Sequence, residues 1–349
     1  MGLHIDNLIE KANATFMLRE IFETDKIISK LKQSLENFNF IEFDKCKKIH
    51  LIGNGSSFTS AKSCEIFGKE VFDVDIEATL PSFFDAEKFS KDSLLVFISQ
   101  SGETKNLLKL SDLIGSNNKL AITNSEQSSL SKNCCKTIYL SCGQEHSIAS
   151  TKCVSAEIFA LLFFVSKVSK KLFPEDNFAQ LVRFLDSFLQ DREKLLLKIS
   201  KIVCNLKDFE TISILNGKFD DPIAKEAKLK ITETSYIPTL QSPFEEYLHG
   251  HMAILNKKSL ILCFFNQSDL LNQIETLKIL KTKYKDFQTI GFGQESVFEC
   301  DYFIEIEQSS NIFCEIFGKL LLSQIFSCFL SCRLNLNPDK PFGLTKVVK

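Results

Sequence analysis

Two short loops hold most of the residues that can grip a small anion. The first is Gly53-Asn54-Gly55-Ser56-Ser57, directly after the apolar run Ile49–Ile52. The second is Ser99-Gln100-Ser101-Gly102-Glu103-Thr104, directly after Leu94–Ile98. Helix-like stretches follow each loop, Thr59–Val71 and Leu107–Ile114. A strand, a tight turn and a helix aim backbone N–H groups with partial positive charge at one point, which favours an anion. Ser56, Ser57, Ser99, Ser101 and Thr104 add hydroxyl donors. Gly55 and Gly102 let the backbone approach closely, and Gln100 lies within the second loop. A cradle of neutral donors without Lys or Arg suits a phosphomonoester. No Gly-x-x-x-x-Gly-Lys-Ser/Thr occurs, which disfavours a nucleotide-binding P-loop. One such loop is most simply read as a helix cap; two in adjacent units point to phosphate.

A second set of reactive groups follows. Glu226, Lys230 and Glu233 lie at i, i+4 and i+7, on one helical stripe. Alone, such a stripe reads as a surface ion-pair ladder. Its mixture with Ile223 and Tyr236 suits the wall of a site. His249 stands in Leu248-His249-Gly250-His251. An imidazole titrates near neutrality and can shuttle a proton. His-x-His without a third ligand at suitable spacing does not make a metal site, so neither a metal nor a cofactor is expected. Lys346, near the chain end, reads by itself as a solvated tail lysine.

These residues need a framework, and the rest of the chain supplies one. It has 349 residues, 44% hydrophobic, enough for two domains with packed cores. Its 42 basic and 44 acidic residues argue against nucleic acid as a partner. The 33 phenylalanines, with no tryptophan, read as core filling. No signal peptide is recognised, and the apolar runs Ala160–Val165 and Leu320–Leu322 are too short to span a bilayer, so no membrane partner is expected. The 12 cysteines form no Cys-x-x-Cys and lie mostly in apolar runs, which suggests reduced thiols and a cytoplasmic setting.

Short strands alternate with helices along most of the chain. Residues 8–38 read as helical. Strands are expected at 48–53, 94–98, 119–123 and 137–140, then helices at Thr151–Val168 and, after Phe173-Pro174, Asn177–Leu206. The alternation resumes with strands at Thr211–Leu215, Ser259–Phe265, Thr289–Phe292 and Tyr302–Ile306. Pro222–Thr234 reads as a helix between them, and Ile312–Arg333 as a long closing helix. This pattern implies an α/β fold of parallel sheets with helices on both faces. Ile49–Gly55 corresponds to Ile212–Gly217, so the unit is repeated. The second copy has Phe265-Asn266-Gln267-Ser268-Asp269 where the first has its hydroxyl loop, which suggests a single ligand site per chain.

In order and spacing, these motifs resemble the double sugar-isomerase (SIS) domain family. More narrowly, the chain is similar to the isomerase half of glucosamine-6-phosphate synthase and to stand-alone SIS-type glucosamine-6-phosphate deaminases and fructosamine-6-phosphate deglycases. Phe16–Ile21 resembles the family's first helix. Ile148-Ala149-Ser150-Thr151-Lys152 resembles Val-Ala-Ser-Thr-Lys. Glu226–Glu233 resembles Glu-Gly-Ala-Leu-Lys-Leu-Lys-Glu, Glu246–Gly250 resembles Glu-Leu-Lys-His-Gly, and Asn337–Val347 resembles the C-terminal lysine tail. Asn54, His251, Phe342 and Gly343 depart from the pattern.

The resemblance implies two tandem SIS domains, each a three-layer α/β/α unit. The expected divisions are a helical segment 1–36, a phosphate-binding domain 37–172, a linker helix and second domain 173–334, and an active-site tail 335–349. It implies Glu233 as the base that moves a proton between C1 and C2 of an open-chain hexose or hexosamine 6-phosphate, beside Lys230. It implies His249 as the ring-opening group, contributed across a homodimer, Lys346 as a lysine able to form a Schiff base, and Ser150 as a substrate contact. The chain starts at the first SIS helix without a Cys at position 2, so no glutaminase half is expected. The implied reaction is deamination and isomerisation of an aminohexose 6-phosphate. A deglycase, or a sugar-phosphate sensor without turnover, is the alternative. Truncation before Asn337 is expected to spare the fold.

Overall fold

A computed structural model describes residues 4–43, 46–87, 89–90, 92–115, 118–169, 171, 174 and 176–346. Phe173 of the expected helix break and both extreme ends, Met1–Leu3 and Val347–Lys349, lie outside the described residues.

Three helices open the chain, α1 (Ile5–Asn13), α2 (Phe16–Ile21) and α3 (Thr24–Glu36). Then come β1 (Lys48–Ile52), α4 (Ser56–Glu70), β2 (Ile76–Thr79), β3 (Ser93–Ile98), α5 (Lys105–Leu113), β4 (Lys119–Thr123), α6 (Ser129–Asn133) and β5 (Lys136–Tyr139). Helices α7 (Lys152–Val168), α8 (Asp176–Gln190) and α9 (Arg192–Asn205) follow. The second series is β6 (Thr211–Asn216), α10 (Asp221–Ser235), β7 (Thr239–Pro243), α11 (Phe244–Tyr247), β8 (Ser259–Phe264), α12 (Leu270–Lys283), β9 (Gln288–Gly293), β10 (Tyr302–Glu305) and α13 (Ile312–Arg333).

The strands form two five-stranded sheets, β2-β1-β3-β4-β5 and β7-β6-β8-β9-β10. Both are parallel throughout and share one strand order. Ile49 pairs with Ile76 on one side and Leu94 on the other; Ile212 pairs with Pro238's neighbour Thr239 and with Leu260. The strand order reverses between β1 and β3, and between β6 and β8, where an open α/β sheet leaves a crevice at its carboxyl edge. The central strands β3, β8 and β9 are buried at every position, as strands covered by helices on two faces must be.

Two edge strands, β2 and β7, carry no clear sequence signal. Alternate residues of β2 are partly exposed, and in β7 only Ser242 is buried, so Ile-Glu-Ala-Thr and Thr-Leu-Gln-Ser-Pro lack a continuous apolar run. The expected helix over residues 8–38 is three helices. Thr15 breaks it by accepting the N–H of Leu18 and starting α2 afresh. The expected helix Asn177–Leu206 divides at Asp191, where ψ is 45°.

The chain separates into two compact units. One comprises Glu23–Val182 with Gly343–Lys349 and contains the first sheet; the other comprises Met1–Phe22 with Arg183–Phe342 and contains the second. These units group residues differently from the divisions at 36/37, 172/173 and 334/335 that the sequence suggests. In the first-sheet unit, α7 packs on α3 and α4, and Phe159, Phe163 and Phe178 stack at its core. In the second-sheet unit, α13 packs on α1, α9 and α10. By length and composition α13 could cross a membrane, contrary to the expectation from short apolar runs, but 94% of its apolar window is buried as a core helix.

Candidate active site

In the first-sheet unit, β1 runs into the Gly53–Ser57 loop. A side chain at Gly53 would sit 2.9 Å from the Ser57 backbone, and Gly55 has φ +54° with ψ −127°, a conformation open to glycine. No side chain caps α4. The Ser57 hydroxyl instead donates to Glu157 Oε1 at 2.9 Å, and Ser60 donates to Glu157 Oε2 at 3.1 Å. Ser57 thus turns inward, to a buried carboxylate on α7 that sequence reasoning had passed over. Ser56 is partly exposed at the start of α4.

The second loop leaves β3 at Ser99. Ser99 Oγ and Thr104 Oγ1 share a hydrogen bond of 3.0 Å, and Gly102 N donates to Ser99 Oγ at 3.1 Å. Glu103 N donates to Ser101 Oγ at 3.2 Å. The Gln100 carbonyl accepts from Asn124 N at 3.0 Å, tying the loop to the end of β4. Gly102 has φ +65°, and a Cβ there would strike Ser128 at 2.4 Å. Thr104 stands at the N-cap of α5 but makes no side-chain cap bond. The hydroxyls of this loop therefore fasten to one another, at Ser99 and Thr104, and to the loop's own N–H groups, at Ser99 and Ser101. That leaves a compact, hydroxyl-rich turn before α5, with one carboxylate, Glu103, which accepts the Ser129 N–H at 2.8 Å.

The segment before α7 holds a group that the sequence analysis missed. Glu145 lies in a loop with no periodicity, and nothing local marks it. Its carboxylate accepts Thr151 N at 2.9 Å, Cys153 N at 3.2 Å, Ser150 Oγ at 3.2 Å and Lys346 Nζ at 2.5 Å. Lys346 Nζ also donates to the Ser147 carbonyl at 2.7 Å. Burial pushes the Glu145 carboxyl up, but the Lys346 ammonium and the two backbone N–H groups outweigh it and hold it below the usual range. Lys346 is thus tied down rather than solvated. Nearby, Lys152 of α7 pairs with Glu23 at 2.7 Å.

In the second-sheet unit, α10 starts with Pro222 in its first turn and ends at Tyr236, whose φ of +59° stops it. Lys230 is buried at 1% exposure, with Nζ 2.8 Å from Glu233 Oε2 and 3.4 Å from Glu226 Oε1. Glu226 is equally buried, whereas the Glu233 side chain is 21% exposed. The stripe is not a surface ladder. A buried ammonium holds one oxygen of a carboxylate whose side chain still reaches solvent. His249 is exposed, at the end of the turn after α11, with its backbone N–H on Glu246 O.

At the carboxyl edge of the second sheet, where the first has its hydroxyl loops, the chain places ions instead. Lys319 of α13 sits 2.8 Å from Asp220 and 2.6 Å from Glu315, all three buried. Asn266, at the end of β8, is locked to Gln273. Burial pushes the Asp220 carboxyl up to about 6 despite Lys319. A phosphate would meet two carboxylates there.

The SIS domain family matches residues 42–167. A glutamine–fructose-6-phosphate aminotransferase [isomerizing] of Wigglesworthia glossinidia brevipalpis is 27% identical over 365 aligned residues, covering 95% of this chain and 58% of the relative. The chain thus spans under two thirds of the length of that curated relative. Among solved structures, the C-terminal domain of glucosamine-fructose-6-phosphate aminotransferase from Francisella tularensis superposes with a TM-score of 0.81 at 22% identity, covering 94% of this chain and 98% of that one. The glucosamine-6-phosphate deaminase of Thermotoga maritima gives 0.77 at 21% identity, covering 96% and 99%. These likenesses establish the double α/β fold. Residues 42–167 match the SIS domain, and a second parallel sheet of the same strand order follows them.

Proposed function

We propose that the protein is an aminohexose-6-phosphate isomerase and deaminase. The observation that carries this reading is Glu233: one oxygen is held by the buried Lys230 ammonium at 2.8 Å, and its side chain stays 21% exposed. A carboxylate fixed in this way can take a proton from one carbon and return it to the next. The hydroxyl loop at Ser99–Thr104, with Ser56, binds the phosphate. Gln100 and Ser150 contact the sugar. The matched relative's name, which speaks of fructose 6-phosphate and an aminotransferase, supports a hexose phosphate and chemistry that moves nitrogen.

The chemistry runs in three steps. His249 moves the proton that opens the ring and exposes the C1 aldehyde of glucosamine 6-phosphate. Glu233 removes the C2 proton and returns it at C1, while the C2 amine gives up one proton and O1 takes one up, leaving a C2 imine and a C1 hydroxyl. Water adds to that imine and ammonia leaves, giving fructose 6-phosphate. The same steps reversed combine fructose 6-phosphate with ammonia, the direction the relative's name favours. Lys346 closes on the open-chain sugar. His249, exposed on this copy, serves the substrate of a second copy in a homodimer. Twelve thiols, seven of them buried, fit a reducing, cytoplasmic compartment.

Purified protein is tested with glucosamine 6-phosphate in a coupled ammonia assay. Ammonia with fructose 6-phosphate supports the reading. Release of an amine from a fructosamine 6-phosphate instead would make it a deglycase, and binding without turnover a sensor. Mixing Glu233→Gln with His249→Ala tests the shared site: activity regained in the mixed dimer supports it, and none counts against it.

A further inference from the structure

We propose that Glu145 is the positioning residue of the tail lysine, Lys346, holding it as a charged latch in the unliganded protein. The purpose of the latch rests on the function proposed above; its geometry does not.

The two oxygens of Glu145 have different tasks. Oε1 takes the N–H groups of Thr151 and Cys153, at 2.9 and 3.2 Å, and so belongs to the start of α7. Oε2 takes Lys346 Nζ at 2.5 Å and Ser150 Oγ at 3.2 Å. One carboxylate oxygen therefore sets both the tail lysine and a serine assigned to the sugar. The Glu145 side chain is fully buried and that of Lys346 is 25% exposed. A buried carboxylate without its cation is costly, so the pair is strongly favoured over either group alone.

Apolar burial does not hold this part of the tail. Phe342 is 91% exposed and Leu344 41% exposed, and Gly343 has φ +77° with open space around it. The fastening is polar and local: one carboxylate and one carbonyl share the ammonium. An ammonium that donates to both has no free electron pair. It becomes a nucleophile only after leaving Glu145 and losing its proton. The latch thus keeps Lys346 near its place of action and unreactive until a ligand draws it away.

The test uses the full chain with Glu145→Gln. The glutamine oxygen still accepts the Thr151 and Cys153 N–H groups, but the charge facing Lys346 is gone. Brief acetylation with acetic anhydride, followed by mass spectrometry, compares Lys346 with the exposed Lys257. The ratio should rise roughly tenfold, the effect of losing one charge-assisted contact. A merely structural Glu145 would lower the thermal midpoint and raise the labelling of all lysines together. An unchanged ratio overturns the latch. Should Glu145→Gln fail to fold, hydrogen exchange in Lys346→Met replaces it. Residues 343–346 should exchange faster than in the unaltered chain, and equal exchange overturns the proposal. No substrate enters either measurement. Protein that labels as expected but releases no ammonia from any hexosamine 6-phosphate keeps the latch and loses the proposed activity; normal turnover with unchanged labelling does the opposite.

Discussion

Lys230 Nζ lies 2.8 Å from Glu233 Oε2 and 3.4 Å from Glu226 Oε1, three residues of α10 joined across less than two turns. The ammonium is inside the protein and one of its carboxylates is at the edge. Opposite consequences follow for substitutions only three residues apart.

Glu233→Gln should fold normally, because its side chain already reaches solvent. It should lose C1–C2 proton exchange by about 10²–10⁴ in rate. Deuterium incorporation from solvent, followed by NMR, measures this. Exchange at the rate of the unaltered protein would remove Glu233 from the mechanism.

Lys230→Met should act on the fold instead. Removing a buried ammonium from between two carboxylates costs about 3–5 kcal/mol. Denaturant unfolding reads the loss directly. A midpoint equal to that of Glu233→Gln would mean that the interior of α10 does not depend on this charge.

Ser101→Ala should weaken binding of fructose 6-phosphate by about 1.5–3 kcal/mol, the worth of one hydrogen bond to a charged group. Titration calorimetry checks this. Its hydroxyl accepts the Glu103 N–H at 3.2 Å and so keeps its own hydrogen free for a ligand. Unchanged affinity would remove Ser101 from the phosphate cradle.

The tail must be cut at the right place. Truncation before Asn337, which the sequence suggests spares the fold while destroying turnover, removes Asp339. That carboxylate accepts the N–H groups of Phe16 and Met17 at 2.8 and 2.7 Å and is 8% exposed. It caps α2, and its loss should cost about 0.5–2 kcal/mol. Ending the chain after Phe342 also removes Lys346 from Glu145 and should abolish turnover, but it keeps the Asp339 cap, so its thermal midpoint should lie above that of the chain cut before Asn337. Equal midpoints for the two truncations would deny Asp339 its capping role.

Asp220 gives a pH dependence of defined sign. Its carboxyl rises from the ordinary 3.8 to about 6 on folding, mainly through burial. Between these values the folded chain holds a proton that the unfolded chain has lost, so this group's contribution to stability falls as pH rises from about 4 to 6. The rise corresponds to about 3 kcal/mol. Asp220→Asn should therefore gain stability relative to the unaltered chain across that window and hold the gain above it. Parallel unfolding curves from pH 4 to 7 would contradict the assignment. Glu145 works in the other direction, since its carboxyl is held low in the fold and its contribution is lost as pH falls through that lowered value.

The sequence by itself determined the architecture and the two loops. Apolar runs ending in Gly-Asn-Gly-Ser-Ser and Ser-Gln-Ser-Gly are local signals, and a parallel α/β sheet is assembled from such local units. Their repetition foretold two sheets of the same build, and the missing hydroxyls after β8 foretold a difference between them. Tertiary structure decided what each charge does. Lys230 is buried because α13 packs on α10, and no spacing within α10 reveals α13. Glu145 gains its role from Lys346, which is 201 residues away, and Asp339 gains its role from Phe16 and Met17, more than 320 residues away. The edge strands β2 and β7 escaped notice because half-exposed strands need no apolar run. Burial, ion pairing and capping depend on which distant segments meet, and chain periodicity records only what each segment does alone.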